Sequence, residues 1–126
     1  MAIVGLDHVQ LAIPEGGEGE ARAFFVDLLG MREVPKPPNL SAQGCWFESQ
    51  GVSLHLGVDP DFTPARKAHP AFLVDSATRV RAQLEAAGIA TKDEAPVEGY
   101  ERFFAHDPFG NRIEFMEQLG ASSAAS

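Results

Sequence analysis

Along residues 9–13, apolar Val9, Leu11 and Ile13 alternate with Gln10 and Ala12, the period of a strand with one buried face. A turn, Glu15-Gly16-Gly17-Glu18-Gly19, follows, and the period then changes. Ala21, Phe24, Phe25, Leu28 and Leu29 recur at three- and four-residue intervals, which predicts an amphipathic helix ended by Gly30. Residues 31–34 read as a further strand, before Pro35, Pro37 and Pro38 hold an extended loop. Cys45-Trp46-Phe47-Glu48 is a short strand, which Ser49-Gln50-Gly51 turns back into the alternating Val52-Ser53-Leu54-His55-Leu56-Gly57.

Residues 59–68 contain Pro60 and Pro64 without periodicity and read as a linker. The order of elements then repeats. Residues 69–74 form a strand, and Asp75 or Ser76 caps a helix with Val80, Leu84 and Ala87 inward and Gly88 at its end. Residues 89–92 suggest a short strand and residues 100–105 another. Asp107-Pro108-Phe109-Gly110-Asn111 is a strong turn, because proline presets φ and glycine accepts positive φ. Residues 112–116 return as the last strand. The expected fold is α+β: two βαβββ modules, residues 3–58 and 69–117, within one domain spanning 1–120. A flexible small-residue tail is expected at 121–126. A helix covers one face of each module's sheet and leaves the other open, so two modules side by side are expected to form a cup-shaped mixed sheet.

Composition narrows the classes. With 126 residues the chain can bury a core without disulfides or a structural metal, and its single cysteine, Cys45, permits no intrachain disulfide. A net charge of −8 argues against nucleic acid as a partner, which would require a basic stripe. No apolar run reaches the roughly 20 residues of a membrane span. Residues 1–6 lack the basic flank of a leader, so a cytoplasmic protein is expected.

The same alternation sorts the polar side chains. If Val9, Leu11 and Ile13 pack beneath the helix, His8, Gln10 and Ala12 face the open side. Packing of Val52, Leu54 and Leu56 likewise leaves His55 there. Packing of Pro70, Phe72 and Val74 exposes His69, and packing of Ile113 and Phe115 exposes Glu114. His8 and His55 are 55 − 8 = 47 positions apart, and His69 and Glu114 are 114 − 69 = 45. Each module thus contributes two metal-capable residues at nearly the same spacing. These four either line a polar pocket as hydrogen-bonded side chains or hold a metal, and the paired spacing favours the metal. Three imidazoles and a carboxylate suit Zn, Fe, Ni, Co or Mn more than the oxygen-seeking Mg or Ca. His106, beside the Asp107 turn, is expected at the surface or behind the ligands. If Phe103 packs under the helix, Arg102 and Phe104 enter the cup, where Arg102 either binds a substrate carboxylate or phosphate or is a solvated edge charge. Trp46 is an aromatic wall or a core residue.

Four segments carry a resemblance to a known family: Leu6-Asp7-His8-Val9-Gln10-Leu11-Ala12, Phe24-Phe25-Val26-Asp27-Leu28-Leu29-Gly30-Met31, His69-Pro70-Ala71-Phe72-Leu73-Val74, and Asp107-Pro108-Phe109-Gly110-Asn111-Arg112-Ile113-Glu114-Phe115. Together they resemble the vicinal oxygen chelate superfamily. It comprises glyoxalase I, type I extradiol dioxygenases, fosfomycin-resistance enzymes, methylmalonyl-CoA epimerase and bleomycin-resistance proteins. The resemblance implies paired βαβββ modules, and a divalent metal that chelates neighbouring substrate oxygens and stabilises a developing enolate or oxyanion. His8, His69 and Glu114 match the two histidines and the glutamate of the dioxygenases and fosfomycin enzymes. His55 falls where bacterial glyoxalase I has a glutamate. That departure leaves Glu114 as the one carboxylate able to move a proton, and it sets activity on a glutathione hemithioacetal in question.

The function expected on these grounds is a glyoxalase-like metalloenzyme of lyase, isomerase or dioxygenase type. It would act on a small-molecule substrate, with Glu114 catalytic and a homodimer as its assembly. The alternative is a metal-free drug- or metabolite-binding protein of the bleomycin-resistance type.

Overall fold

In the computed structural model, residues 2–120 are described; the tail expected at 121–126 lies outside them. The chain divides between Pro64 and Ala65 into two units, a boundary that falls within the linker segment.

The first unit contains β1 (Val9–Ile13), α1 (Glu18–Arg22) continued by a π-helical stretch (Ala23–Leu28), β2 (Arg32–Val34), β3 (Cys45–Ser49) and β4 (Val52–Val58). Its four strands are ordered β1-β4-β3-β2. β1 runs parallel to β4, and the other pairings are antiparallel. The π-helical widening is not visible in the residue spacing. In it Leu29 N–H donates to the Phe24 carbonyl, five residues back, at 3.0 Å. Phe24 and Phe25 are both buried, and Phe25 meets Phe47 of β3 with ring centroids 5.8 Å apart. Ile13, Leu54, Leu56 and Cys45 complete this core. Gly30 adopts φ 79° at the end of the helix, as its position after the last apolar residue predicts.

The second unit contains β5 (Ala71–Leu73), α2 (Ala77–Ala86), β6 (Tyr100–His106) and β7 (Arg112–Gln118), with strands ordered β5-β7-β6. Ser76 is the cap of α2, its hydroxyl accepting from Arg79 N–H at 3.1 Å. Leu84 is fully buried and Phe103 stacks on Phe115, centroids 5.1 Å apart. The Arg81 guanidinium of α2 lies 4.8 Å above the Phe103 ring, so Phe103 faces the helix as alternation requires.

The α+β class built from two modules is the fold observed, with four corrections. The strands hydrogen-bond into two mixed sheets rather than one. The strand expected at residues 89–92 is reduced to an isolated bridge between Lys92 and Phe104, and Ile89 N–H is instead bonded to the Leu84 carbonyl at the end of α2. β5 is three residues long instead of six, because its ladder with β7 extends only from Ala71 to Leu73, opposite Glu114 to Met116. Finally, Val52 and Ala87 are exposed, the first at the β3–β4 turn and the second at the C-terminal cap of α2.

Candidate metal-ligand pairs

In the first unit His8 immediately precedes β1, and its Nδ1 lies 2.8 Å from Asp7 Oδ1. A carboxylate can only accept, so Nδ1 carries a proton and Nε2 is left for a second partner. His55 sits on β4 opposite Trp46 of β3, in antiparallel register. The Trp46 and His55 rings are stacked at 3.9 Å with planes 2° from parallel, and His8 stacks on His55 at 3.9 Å and 20°. Two rings at that distance cannot share one face of an imidazole, so His55 is sandwiched. Burial, and secondly the neighbouring His8, hold its pKa below the ordinary histidine value. A neutral imidazole is the form that ligates a metal.

These rings border a cavity of about 680 Å³ within the first unit. Gln10, Lys36, Leu40 and Gln43 also line it, so the proline-containing loop contributes to its wall. The Lys36 ammonium donates to the Gln43 carbonyl, tying that loop to itself. Gly44 follows with φ +87°, and a Cβ there would lie 2.2 Å from the Leu56 carbonyl oxygen, so only glycine fits.

In the second unit His69 Nδ1 lies 3.0 Å from the Lys67 carbonyl, which again fixes the proton on Nδ1. Its Nε2 lies 3.0 Å from Glu114 Oε1. Glu114 is buried at 7% exposure, and Glu114 N–H bonds the Pro70 carbonyl at 3.0 Å, which brings β7 alongside His69. Its second oxygen, Oε2, accepts from Arg102 Nη1 at 3.0 Å. Arg102 Nη2 donates to the Ala95 carbonyl. The arginine expected to meet a substrate anion thus commits both terminal nitrogens inside the protein. Phe104 stands edge-on to His69 at 5.2 Å, and the Arg102 and Arg112 guanidiniums lie 5.2 and 4.2 Å from its ring centroid. His106 is exposed at the end of β6.

Of the residues singled out in the sequence, His8, His55 and Trp46 meet in one unit and His69, Glu114, Arg102 and Phe104 in the other. Among the described residues no group of three or more His, Cys, Asp or Glu side chains converges. Alternation did not reveal the groups behind the candidate ligands. Asp7 and the Lys67 carbonyl anchor the two histidines. Register could have found the Trp46–His55 stack: the turn pairs Ser49 with Val52, and three steps outward from it are Trp46 and His55.

The chain belongs to the Glyoxalase/Bleomycin resistance protein/Dioxygenase superfamily, whose sequence profile matches residues 5–115. It is 30% identical over 124 residues to Glyoxylase I 4 of Arabidopsis thaliana, an alignment covering 89% of this chain and 70% of the relative. A solved glyoxalase family protein from Bacillus anthracis is 46% identical with a TM-score of 0.88, covering 94% of this chain and 98% of that one. The fold is also that of an antibiotic binding protein from Streptomyces, at 19% identity and a TM-score of 0.72, covering 94% and 98%. A fosfomycin resistance protein from Listeria monocytogenes shares it at 20% identity and a TM-score of 0.71, covering 93% of each chain. No helix among the described residues is long and apolar enough to cross a membrane.

Proposed function

We propose that the protein is a glyoxalase-like metalloenzyme of lyase, isomerase or dioxygenase type. It uses a divalent transition metal (Zn, Fe, Ni, Co or Mn) with His8, His55, His69 and Glu114 as ligands. The observation that carries this reading is how the histidines are tethered. His8 and His69 each give Nδ1 to an oxygen acceptor, at 2.8 and 3.0 Å, and keep Nε2 for another partner. That is the outer-shell arrangement of metal-ligating histidines.

The donor set also fits at close range. His69 Nε2 and Glu114 Oε1 lie 3.0 Å apart, and an imidazole nitrogen and a carboxylate oxygen are donors that such an ion would take. With Nδ1 given to the Lys67 carbonyl, Nε2 faces the Glu114 carboxylate, a contact that a proton on Nε2 satisfies as a hydrogen bond and that a bound cation would replace with two ligand bonds. A bound divalent ion supplies Lewis-acid polarisation of two neighbouring substrate oxygens. Glu114 is the catalytic carboxylate in this reading, and Trp46 keeps the neutral His55 ring in one orientation. The Arabidopsis relative's name supports the glyoxalase-like chemistry.

A second reading, a metal-free drug- or metabolite-binding protein, is favoured by the cavity of about 680 Å³ beside Trp46. Its size suits a small molecule. Both readings keep a small-molecule ligand, a cytoplasmic setting and the homodimeric assembly common in the family. Elemental analysis of gently purified protein, with His69→Ala in parallel, separates them. Near-stoichiometric transition metal that is lost in the variant supports the enzyme. No metal as isolated, and none taken up on reconstitution, would leave the binding protein as the better account.

A further inference from the structure

Glu114 has two oxygens in different surroundings, and the cause is Arg102. Arg102 on β6 lies diagonal to Glu114 on β7, because the register sets Phe104 opposite Glu114. Its guanidinium is fixed on three sides: Nη1 donates to Glu114 Oε2 at 3.0 Å, Nη2 donates to the Ala95 carbonyl, and the Phe104 ring centroid lies 5.2 Å away. The ion pair is well shielded, its side chains 14% and 10% exposed. Arg102 Nε is buried without a hydrogen-bond partner, so the Glu114 and Ala95 contacts have been kept at the cost of desolvating that nitrogen.

We infer that Arg102 is a positioning residue that holds Glu114 as a one-oxygen metal ligand. This inference rests on the metalloenzyme reading above. A carboxylate free to turn can chelate through both oxygens and fill a second coordination position. With Oε2 bonded to a planar, permanently charged guanidinium, only Oε1 faces His69 Nε2. The position saved is one that a substrate presenting two adjacent oxygens requires. The arginine therefore bears on the substrate class without touching substrate: it favours ligands that attach through two oxygens over those that attach through one.

Cobalt(II) titration, followed by visible absorption, tests this on wild type, Arg102→Gln, Arg102→Lys and His69→Ala, with thermal unfolding of each metal-free protein. Wild type binds cobalt and His69→Ala does not. Arg102→Gln binds cobalt with a shifted and weakened d–d band, because Glu114 is released to turn and add its second oxygen to the ion. Arg102→Lys falls between, since it keeps the charge without the fork. A wild-type spectrum in a folded Arg102→Gln, with binding lost in His69→Ala, would overturn the role of Arg102 alone. Should Arg102→Gln fail to fold, Arg102→Lys decides in the same way. A wild-type protein that takes up no cobalt, or a His69→Ala variant that binds as wild type does, would remove the metal reading and this inference with it.

Discussion

The indole of Trp46 lies flat on the imidazole of His55, ring centroids 3.9 Å apart and planes 2° from parallel, across the β3–β4 pair. Because His8 covers the other face, the His55 ring can turn neither way without losing a stacked neighbour. The contact also couples an optical probe to a titrating group, since Trp46 is the only tryptophan in the chain.

That coupling gives a pH prediction. Burial, then His8, lowers the pKa of His55 in the folded protein, while in the unfolded chain it titrates near the ordinary value of 6.5. The unfolded state therefore binds more protons between the two values. The contribution of His55 to stability is intact above pH 6.5 and is lost as pH falls toward the folded value. Protonation places a charge against the indole, so Trp46 fluorescence should change with a midpoint below 6.5. His55→Gln should abolish that transition; a transition persisting in the variant would assign it elsewhere.

Removing the stack should cost stability as well as order. Trp46→Phe keeps an aromatic face and should lose about 1 kcal/mol, while Trp46→Ala should lose roughly 2–3 kcal/mol. Urea denaturation of the three proteins measures both. Equal losses would show that an aromatic face at this position, without the indole itself, contributes nothing.

Glu114 tests the second unit. Glu114→Ala removes the carboxylate that faces both His69 and Arg102 and leaves the shielded guanidinium without its counter-charge. A loss of about 3 kcal/mol is expected. Glu114→Gln keeps the shape and one acceptor oxygen, and should lose about 1 kcal/mol. Denaturation midpoints of the metal-free proteins read the difference, and a Glu114→Ala as stable as Glu114→Gln would mean that Arg102 finds another partner.

The parts of the fold that were legible are those where a single period persists. β1, β4 and the first half of β7 alternate in sequence, and Gly30 and Ser76 mark helix ends by ordinary capping chemistry. Residues 89–92 also read as a strand, but local pattern does not say how far the end of α2 reaches, and Ile89 N–H is bonded to the Leu84 carbonyl. The π-helical widening at Ala23–Leu28 leaves the apolar spacing unchanged, so nothing in the sequence announced it. For the candidate ligands, alternation indicated a shared face but not what each side chain would touch. The Arg102–Glu114 pair is diagonal, and its recovery needed the register set by the Asp107 turn, which pairs His106 with Arg112 and therefore Phe104 with Glu114.

Gly44 links the cavity wall to the core. Its N–H donates to Glu18 Oε2 at 2.9 Å, its φ is +87°, and a Cβ would lie 2.2 Å from the Leu56 carbonyl oxygen. Backbone cannot give way as a flexible side chain does. Gly44→Ala should therefore lose more than about 2 kcal/mol. Gly30→Ala, at φ +79° with open space around it, should lose only about 1 kcal/mol. Thermal unfolding of both variants separates backbone conformation from steric clash, and equal losses would rule out the clash.

The turn joining β6 to β7 supplies the last prediction. Asp107 is buried, and its Oδ1 accepts from Phe109 and Asn111 N–H at 2.9 and 2.8 Å, while Oδ2 accepts from Asn111 Nδ2 at 2.9 Å. Burial nevertheless outweighs these bonds and raises its pKa above the ordinary 3.8. A raised folded value means that the folded state binds more protons in this window. The contribution is therefore fully present below pH 3.8 and declines as pH rises through the folded pKa. The amide introduced by Asp107→Asn does not titrate, so the disadvantage of that variant relative to wild type should be greater at acid pH than at neutral pH. Asp107→Ala, which removes the acceptor altogether, should lose about 2–4 kcal/mol at either pH. Urea denaturation of the three proteins at both pH values isolates this group, because every other titration is common to them; a constant gap between wild type and Asp107→Asn would show that the hydrogen bonds balance the burial.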